Sequence, residues 1–375
     1  MVEIGIDYTP AVEQGGGIGR YVRELVAALT DAPEDLHFRL LAAGANSITN
    51  PFPGSSRFSW HPSPLSPRWW ARIWHRAGIS VPIEWTVGRV NLYHATDFVL
   101  PPLSARSLLT VHDLSFVRVP EAASPNLKRY LDAVVPRSVQ RADHILADSA
   151  ATKADLVQLY GTPADKITVL YSGVGRSFSP VADGAAREVV LGKYRLPDRP
   201  FILSVGTVQP RKNYERLVRA VSALRGRGHD LDVVIVGGRG WLEDGIYRAV
   251  QETSMAEHVH FAGFVDDADL PALYSAACVT ALPSLYEGFG IPVLESMACG
   301  TPVLTSNVSS LPEVAGDAGL TVDPLDVEAI VEGLQTLVLD QALRDTLIER
   351  GRRRAARFTW QAAAAELCRV YRMLL

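Results

Sequence analysis

Short apolar runs alternate with stretches of helical periodicity along the whole 375-residue chain. The runs VEIGID (2–7), FRLLA (38–42), NLYHA (91–95), SLLTVH (107–112), HILADS (144–149) and ITVLY (167–171) are short and apolar enough for buried strands. A second series follows: FILSVG (201–206), DVVIVGG (232–238), HVHFAG (258–263), CVTALPS (278–284), PVLTS (302–306) and GLTV (319–322). Helical patterns lie between them; that over Gly17–Thr30 places Ile18, Tyr21, Val22, Leu25, Val26 and Leu29 on one stripe, as in a helix packed on a sheet. This alternation predicts an α/β fold with parallel sheets. Prolines, glycines and charges interrupt it between Gly173 and Pro200, leaving one short helical stretch, and this segment reads as a linker. Two domains are expected, at 1–176 and 177–357, followed by a terminal helix over 358–375.

Length agrees with that division, because single cores stop growing at roughly 250–300 residues. Two domains imply a cleft between them. The net charge of −4, from 37 basic and 41 acidic residues without a polybasic tail, argues against a nucleic-acid partner. Cys278, Cys299 and Cys368 lack C-x-x-C spacing, so neither a disulfide framework nor a zinc site is expected, and the reading is a reducing, cytoplasmic interior. The opening VEIGID lacks the build of a signal peptide, and no uncharged apolar run approaches the ~18 residues of a membrane span.

Chemistry concentrates in YEGFGIPVLESMACGTPV (286–303), where Glu287 and Glu295 stand in otherwise apolar company. Pro292 suits a first helical turn and Gly300 the position past a last one, which predicts a helix over Ile291–Cys299. At 100° per residue Glu295 falls opposite Val293, Leu294 and Met297, so it can face a cleft; equally, it can simply complement the helix N-terminus. Glu287 sits in the preceding loop, where Gly288 and Gly290 let the backbone approach a ligand. Carboxylates accept hydrogen bonds from paired hydroxyls and amides meet phosphate oxygens, so the set suits a polyol bearing phosphate, such as a nucleotide sugar. Such an anion needs a cation nearby. GTVQPRKN supplies Arg211 and Lys212 at the carboxyl end of a strand, where open sheets bind ligands; the plainer alternative is two solvated bases at a helix start.

The segment 282–319, with its Glu, seven residues, Glu (Glu287 and Glu295), resembles the signature of retaining glycosyltransferase family 4. VGTVQPRKN (205–213), GGGIGRYVREL (15–25), TVHDLSF (110–116), ADSAATKADL (147–156) and FAGFVDDADLPALYSAA (261–277) are similar in the same sense and in the right order. The resemblance implies a GT-B architecture of two facing Rossmann-like domains, with the nucleotide sugar mostly on the second and the terminal helix crossing back onto the first. It implies that Glu287 contacts hydroxyls of the transferred sugar and Glu295 the ribose, while Arg211 and Lys212 neutralise the diphosphate. Gly288, Phe289, Gly290 and Ile291 would help hold sugar and phosphate, and Gly263, Phe264 and Val265 would lie beside the base. From the first domain, Gly16 and Gly17 would approach the diphosphate and His112 the sugar near the reacting carbon; read alone, a histidine at a strand end is more often a capping or packing residue. Where the family often shows N-G-V-D, this chain has Ser172-Gly173-Val174-Gly175, a departure that weakens any role for that loop.

The resemblance therefore implies a retaining, metal-independent transfer of a hexose from a nucleoside diphosphate sugar to a saccharide or lipid-linked saccharide, with no cofactor. GDP-mannose is the first donor expected and UDP-glucose the second. GGGIG lacks the third glycine of a dinucleotide fingerprint, and Asp266-Asp267 stand where acids cap a helix rather than as metal ligands. A phosphorylase or epimerase of the same fold, or a non-catalytic carbohydrate binder, are the rival readings. Five of the seven tryptophans lie in 60–85, and a helix over 67–78 would put Trp69, Trp70, Ile73, Trp74 and Ala77 on one face, with Arg68, Arg72, His75 and Arg76 on the other. Packing of that face on the core is the favoured expectation; contact with the inner membrane surface is the alternative.

Overall fold

A computed structural model of the chain describes residues 2–76 and 78–375, with the backbone alone at 75 and 76, so Ala77 lies outside the described residues. Among the described residues, thirteen strands form two sheets. The first contains β1 (Val2–Asp7), β2 (Leu36–Ala43), β3 (Phe58–Ser63), β4 (Leu92–Ala95), β5 (Arg106–Val111), β6 (His144–Ala147) and β7 (Ile167–Val169). The second contains β8 (Phe201–Val205), β9 (Asp232–Val236), β10 (Val259–Gly263), β11 (Val279–Leu282), β12 (Val303–Ser306) and β13 (Leu320–Val322). Their spatial orders are β3-β2-β1-β4-β5-β6-β7 and β10-β9-β8-β11-β12-β13, with parallel pairing throughout. Both follow the doubly wound order, in which the chain reverses direction once, between β1 and β4 and again between β8 and β11.

Strands covered by helices on both faces must be apolar on both faces, and β9, DVVIV, is buried at all five positions. The exception explains the strand that periodicity did not reveal. β3, FSWHPS, pairs with β2 alone, and Pro62, which has no N–H for a second ladder, is tolerated on such an edge.

The chain divides into two compact units: residues 1–114, 129–172 and 360–375 form one, and 115–128 with 173–359 the other. The break expected after 176 therefore falls after Ser172, and 115–128 group with the second unit. The terminal helix, Trp360–Leu374, belongs to the first unit. Tyr371 there places its hydroxyl 2.9 Å from His94 Nδ1 on β4, and the Trp360 ring meets Tyr21 edge-on. The expected linker is itself ordered: Gly184–Lys193 is a helix, and Val190, Leu191 and Tyr194 pack on the core around Phe201 and Leu203. No described helix is long and apolar enough to cross a membrane.

Candidate functional site

The reversal between β8 and β11 is built by two loops of the second unit. After β8 the chain passes Gly206 and makes a short 3-10 turn, Pro210–Lys212. A Cβ on Gly206 would stand 2.7 Å from Lys212 Cε, so glycine is what lets the lysine lie back over the strand end. Asn213 closes the turn in the left-handed region (φ 60°), which asparagine tolerates, and opens the helix Tyr214–Gly226. Its side-chain amide donates to the carbonyls of Pro283 (2.8 Å) and Pro324 (2.7 Å), tying the turn to the residues that follow β11 and β13.

The loop after β11 brings Glu287 to this turn. Leu285 N–H donates to the Arg211 carbonyl at 2.8 Å, and the Arg211 guanidinium donates to Tyr286 O and Glu287 Oε2, each at 2.7 Å. Lys212 Nζ donates to Glu287 Oε1, also at 2.7 Å. The three side chains are 17%, 11% and 8% exposed. Burial alone would raise the Glu287 carboxyl; the charges of Arg211 and Lys212, with the hydrogen bond from Lys212, override it and hold the group down at about 2. Glu287 N–H donates to Ser309 Oγ (3.0 Å), and the Ser310 hydroxyl is shared between the carbonyls of Glu287 (2.9 Å) and Phe289 (2.8 Å). Gly290 then enters the helix Ile291–Cys299 at φ 109°, and a Cβ there would meet Leu311 Cδ2 at 2.9 Å. The result is two cations and one carboxylate, a net positive cluster at the carboxyl ends of parallel strands beside two helix starts, an arrangement suited to an anion that also carries hydroxyls.

The other residues anticipated from sequence are distributed more widely. Gly288, Phe289 and Gly290 are buried in the same loop, and Ile291 is half-buried at the helix start. Glu295 does not stand on an open face: it is 1% exposed, and Tyr274 on the neighbouring helix Leu270–Ala276 donates its hydroxyl to Oε2 at 2.7 Å. Gly263 ends β10 at φ 69°, followed by Phe264, 62% exposed, and buried Val265. Asp266 and Asp269 both accept from Lys193 Nζ, and Asp269 also from the Tyr194 hydroxyl.

Gly16, Gly17 and His112 lie in the first unit. The two glycines are exposed at the start of the helix Gly17–Ala28, with nothing within 4 Å of where a Cβ would stand. His112 is buried, with Nδ1 2.8 Å from Asp148 Oδ2 and Nε2 2.9 Å from the Thr96 carbonyl. Both partners are acceptors, so both ring nitrogens carry protons and the ring is an imidazolium. Burial works against charge on either member, lifting the Asp148 carboxyl; for His112, the charges of Asp148 and Asp97 and the two hydrogen bonds win, and it moves up to about 9. With both nitrogens engaged, the ring acts on its surroundings as a fixed charge rather than as a direct hydrogen-bond donor to a ligand.

Three contributors escaped the sequence reading: Asn213, Asp148 and Tyr274. For Asp148 the link to His112 lies in strand register, which the sequence does not display. Val111 of β5 is in register with Ala147 of β6, and His112 and Asp148 are the first residues beyond the two strands.

Against this geometry stand the comparisons with known proteins. Residues 15–177 match the family described as Glycosyltransferase Family 4, and 189–354 the family described as Glycosyl transferases group 1. The O-antigen chain mannosyltransferase B of Escherichia coli is 35% identical over 284 residues, covering 76% of this chain and 74% of that protein. Sucrose-phosphate synthase from Thermosynechococcus elongatus has a TM-score of 0.78 at 25% identity, covering 100% of this chain and 99% of that one. Anabaena HepE, solved in complex with UDP and glucose, has a TM-score of 0.72 at 17% identity over 99% of each chain. The two doubly wound sheets, the ordered motifs and these matches together make the chain a mannosyltransferase-like hexosyltransferase of glycosyltransferase family 4, with the GT-B fold.

Proposed function

We propose that the protein moves a hexose from a nucleoside diphosphate sugar to a saccharide or lipid-linked saccharide with retention of anomeric configuration and without a metal ion. GDP-mannose is the first donor and UDP-glucose the second. The observation that carries this reading is the pairing of Arg211 and Lys212 on one carboxylate at the reversal of the second sheet. A departing diphosphate needs positive charge that is already in place, and two cations oriented by a buried carboxylate cost little reorganisation at the moment of bond breaking. Glu287 would then accept hydrogen bonds from the hydroxyls of the transferred sugar. Gly288, Phe289, Gly290 and Ile291 would line the sugar and phosphate, and Gly263, Phe264, Val265 and Glu295 the nucleoside. Gly16, Gly17 and His112 lie past the carboxyl ends of β1 and β5, the side on which open sheets of this order bind ligands, and form the group proposed for the first unit.

In the proposed step the bond from the anomeric carbon to the phosphate oxygen breaks and the bond to the acceptor oxygen forms on the same face. The acceptor proton passes to the leaving phosphate. The mannosyltransferase relative favours mannose; the UDP and glucose in the structure of HepE support the second donor. The deciding experiment incubates the protein with GDP-mannose or UDP-glucose and saccharide acceptors, with and without a chelator, and follows nucleotide release and the anomeric proton by NMR. Transfer with retention in the presence of chelator is expected; an inverted product, or turnover lost on chelation, overturns the reading.

A further inference from the structure

Among the described residues the exposed tryptophans are Trp69 (54%) and Trp85 (81%), and both fall in the connection from β3 to β4 together with Ile79 (55%). The expected single apolar face of this connection does not form. Its helix starts as an α-helix over Pro67–Ala71 and widens into a π-helix over Arg72–Arg76, which breaks the 100° spacing. Trp70 and Trp74 stack at 4.7 Å and turn inward, with Trp70 Nε1 donating to Ser63 Oγ and Trp74 Nε1 to the Val81 carbonyl. Trp69 is left outside, with the Arg72 guanidinium 4.8 Å over its ring.

The charge of this connection is one-sided. Residues 67–91 contain Arg68, Arg72, Arg76 and Arg89 against a single acid, Glu84. That carboxylate is occupied by the chain itself, accepting from the N–H groups of Ser104 (2.6 Å) and Ala105 (2.9 Å). Trp74 also borders a recess of about 330 Å³ lined by Ser80, Pro102, Leu103 and exposed Arg141.

We propose that this face of the first unit docks on an anionic lipid surface, with Trp69, Ile79 and Trp85 entering the headgroup region and Arg68 and Arg72 facing lipid phosphates. Indoles favour such an interface because one end is apolar and the other hydrogen-bonds, and each arginine near the surface adds to the attraction. A second copy of the chain is the poorer occupant, since a face pairing with itself would set like charges against one another.

Co-sedimentation with phosphatidylcholine vesicles, with and without phosphatidylglycerol, tests this. Sedimentation is expected with the anionic vesicles only, falling with added salt. It should weaken by about tenfold in Trp69→Ser/Trp85→Ser and in Arg68→Glu/Arg72→Glu. All four side chains project from the surface, so circular dichroism and the unfolding midpoint should not move; the charge-reversal pair keeps the test open should the tryptophan pair misfold. No sedimentation, equal sedimentation with neutral vesicles, binding unchanged in both variants, or a concentration-dependent dimer abolished by the tryptophan substitutions would each overturn the proposal.

Discussion

Lys212 Nζ and Glu287 Oε1 meet at 2.7 Å across 75 residues of chain, one from the loop after β8 and the other from the loop after β11. The carboxylate holds both bases at the point where the strand order reverses, so the cations are oriented before any ligand arrives. Lys212→Ala is expected to lower kcat/KM by ~10²–10³-fold and to abolish thermal stabilisation by GDP or UDP. Arg211→Lys keeps the charge but loses the planar guanidinium, one nitrogen of which donates to both Tyr286 O and Glu287 Oε2, so an intermediate loss is expected. Steady-state kinetics and nucleotide-dependent unfolding midpoints check both.

Glu287 also predicts a pH dependence. Its carboxyl lies at about 2 in the fold against an ordinary 4.5. The group is depressed, so its contribution to stability is complete above 4.5 and is lost as pH falls toward about 2. Acid unfolding of wild type and Glu287→Gln should converge over that window, and parallel curves would show that the carboxylate is not held by the two bases.

His112 runs the other way. Its ring lies at about 9 against an ordinary 6.5, so the stability it contributes is full below 6.5 and disappears as pH rises through about 9. Asp148→Asn removes the strongest of the groups that raise the ring and leaves Asp97 and the Thr96 carbonyl alone against burial, so the imidazole should then titrate well below about 9. NMR titration of the His112 ring in the two proteins measures the shift directly.

Two glycines should respond oppositely to alanine. Gly290→Ala forces a side chain into φ 109° and against Leu311, and is expected to cost ~1–3 kcal/mol in thermal or denaturant unfolding. Gly16→Ala meets nothing within 4 Å, so stability should hold within ~0.5 kcal/mol. Because the Gly16 backbone is proposed to approach the diphosphate, the same substitution should lower transfer.

The helix Ile291–Cys299 was legible to the residue because both its ends carry local chemistry: Pro292 in the first turn and Gly300 beyond the last. The apolar strands were legible for the same local reason. What stayed hidden depends on neighbours distant in sequence. Helical spacing puts Glu295 opposite the apolar side, free to face a cleft or to complement the helix start, and only the packing of Leu270–Ala276 beside it brings the Tyr274 hydroxyl. The His112–Asp148 pair depends on the register of β5 against β6, and the outward turn of Trp69 on a π-helix that 100° spacing does not describe.

His94 finds Tyr371 across 277 residues, so the core of the first unit stays open until the helix Trp360–Leu374 has been synthesised. Residues 173–359 leave the ribosome earlier and, with 115–128, form the second unit. The first unit is thus completed by chain made after residues 173–359. A nascent chain stalled before Trp360 should protect the second unit from protease while leaving β1 and β4 open to cleavage, and the helix Trp360–Leu374 acts as the latch that closes the first unit.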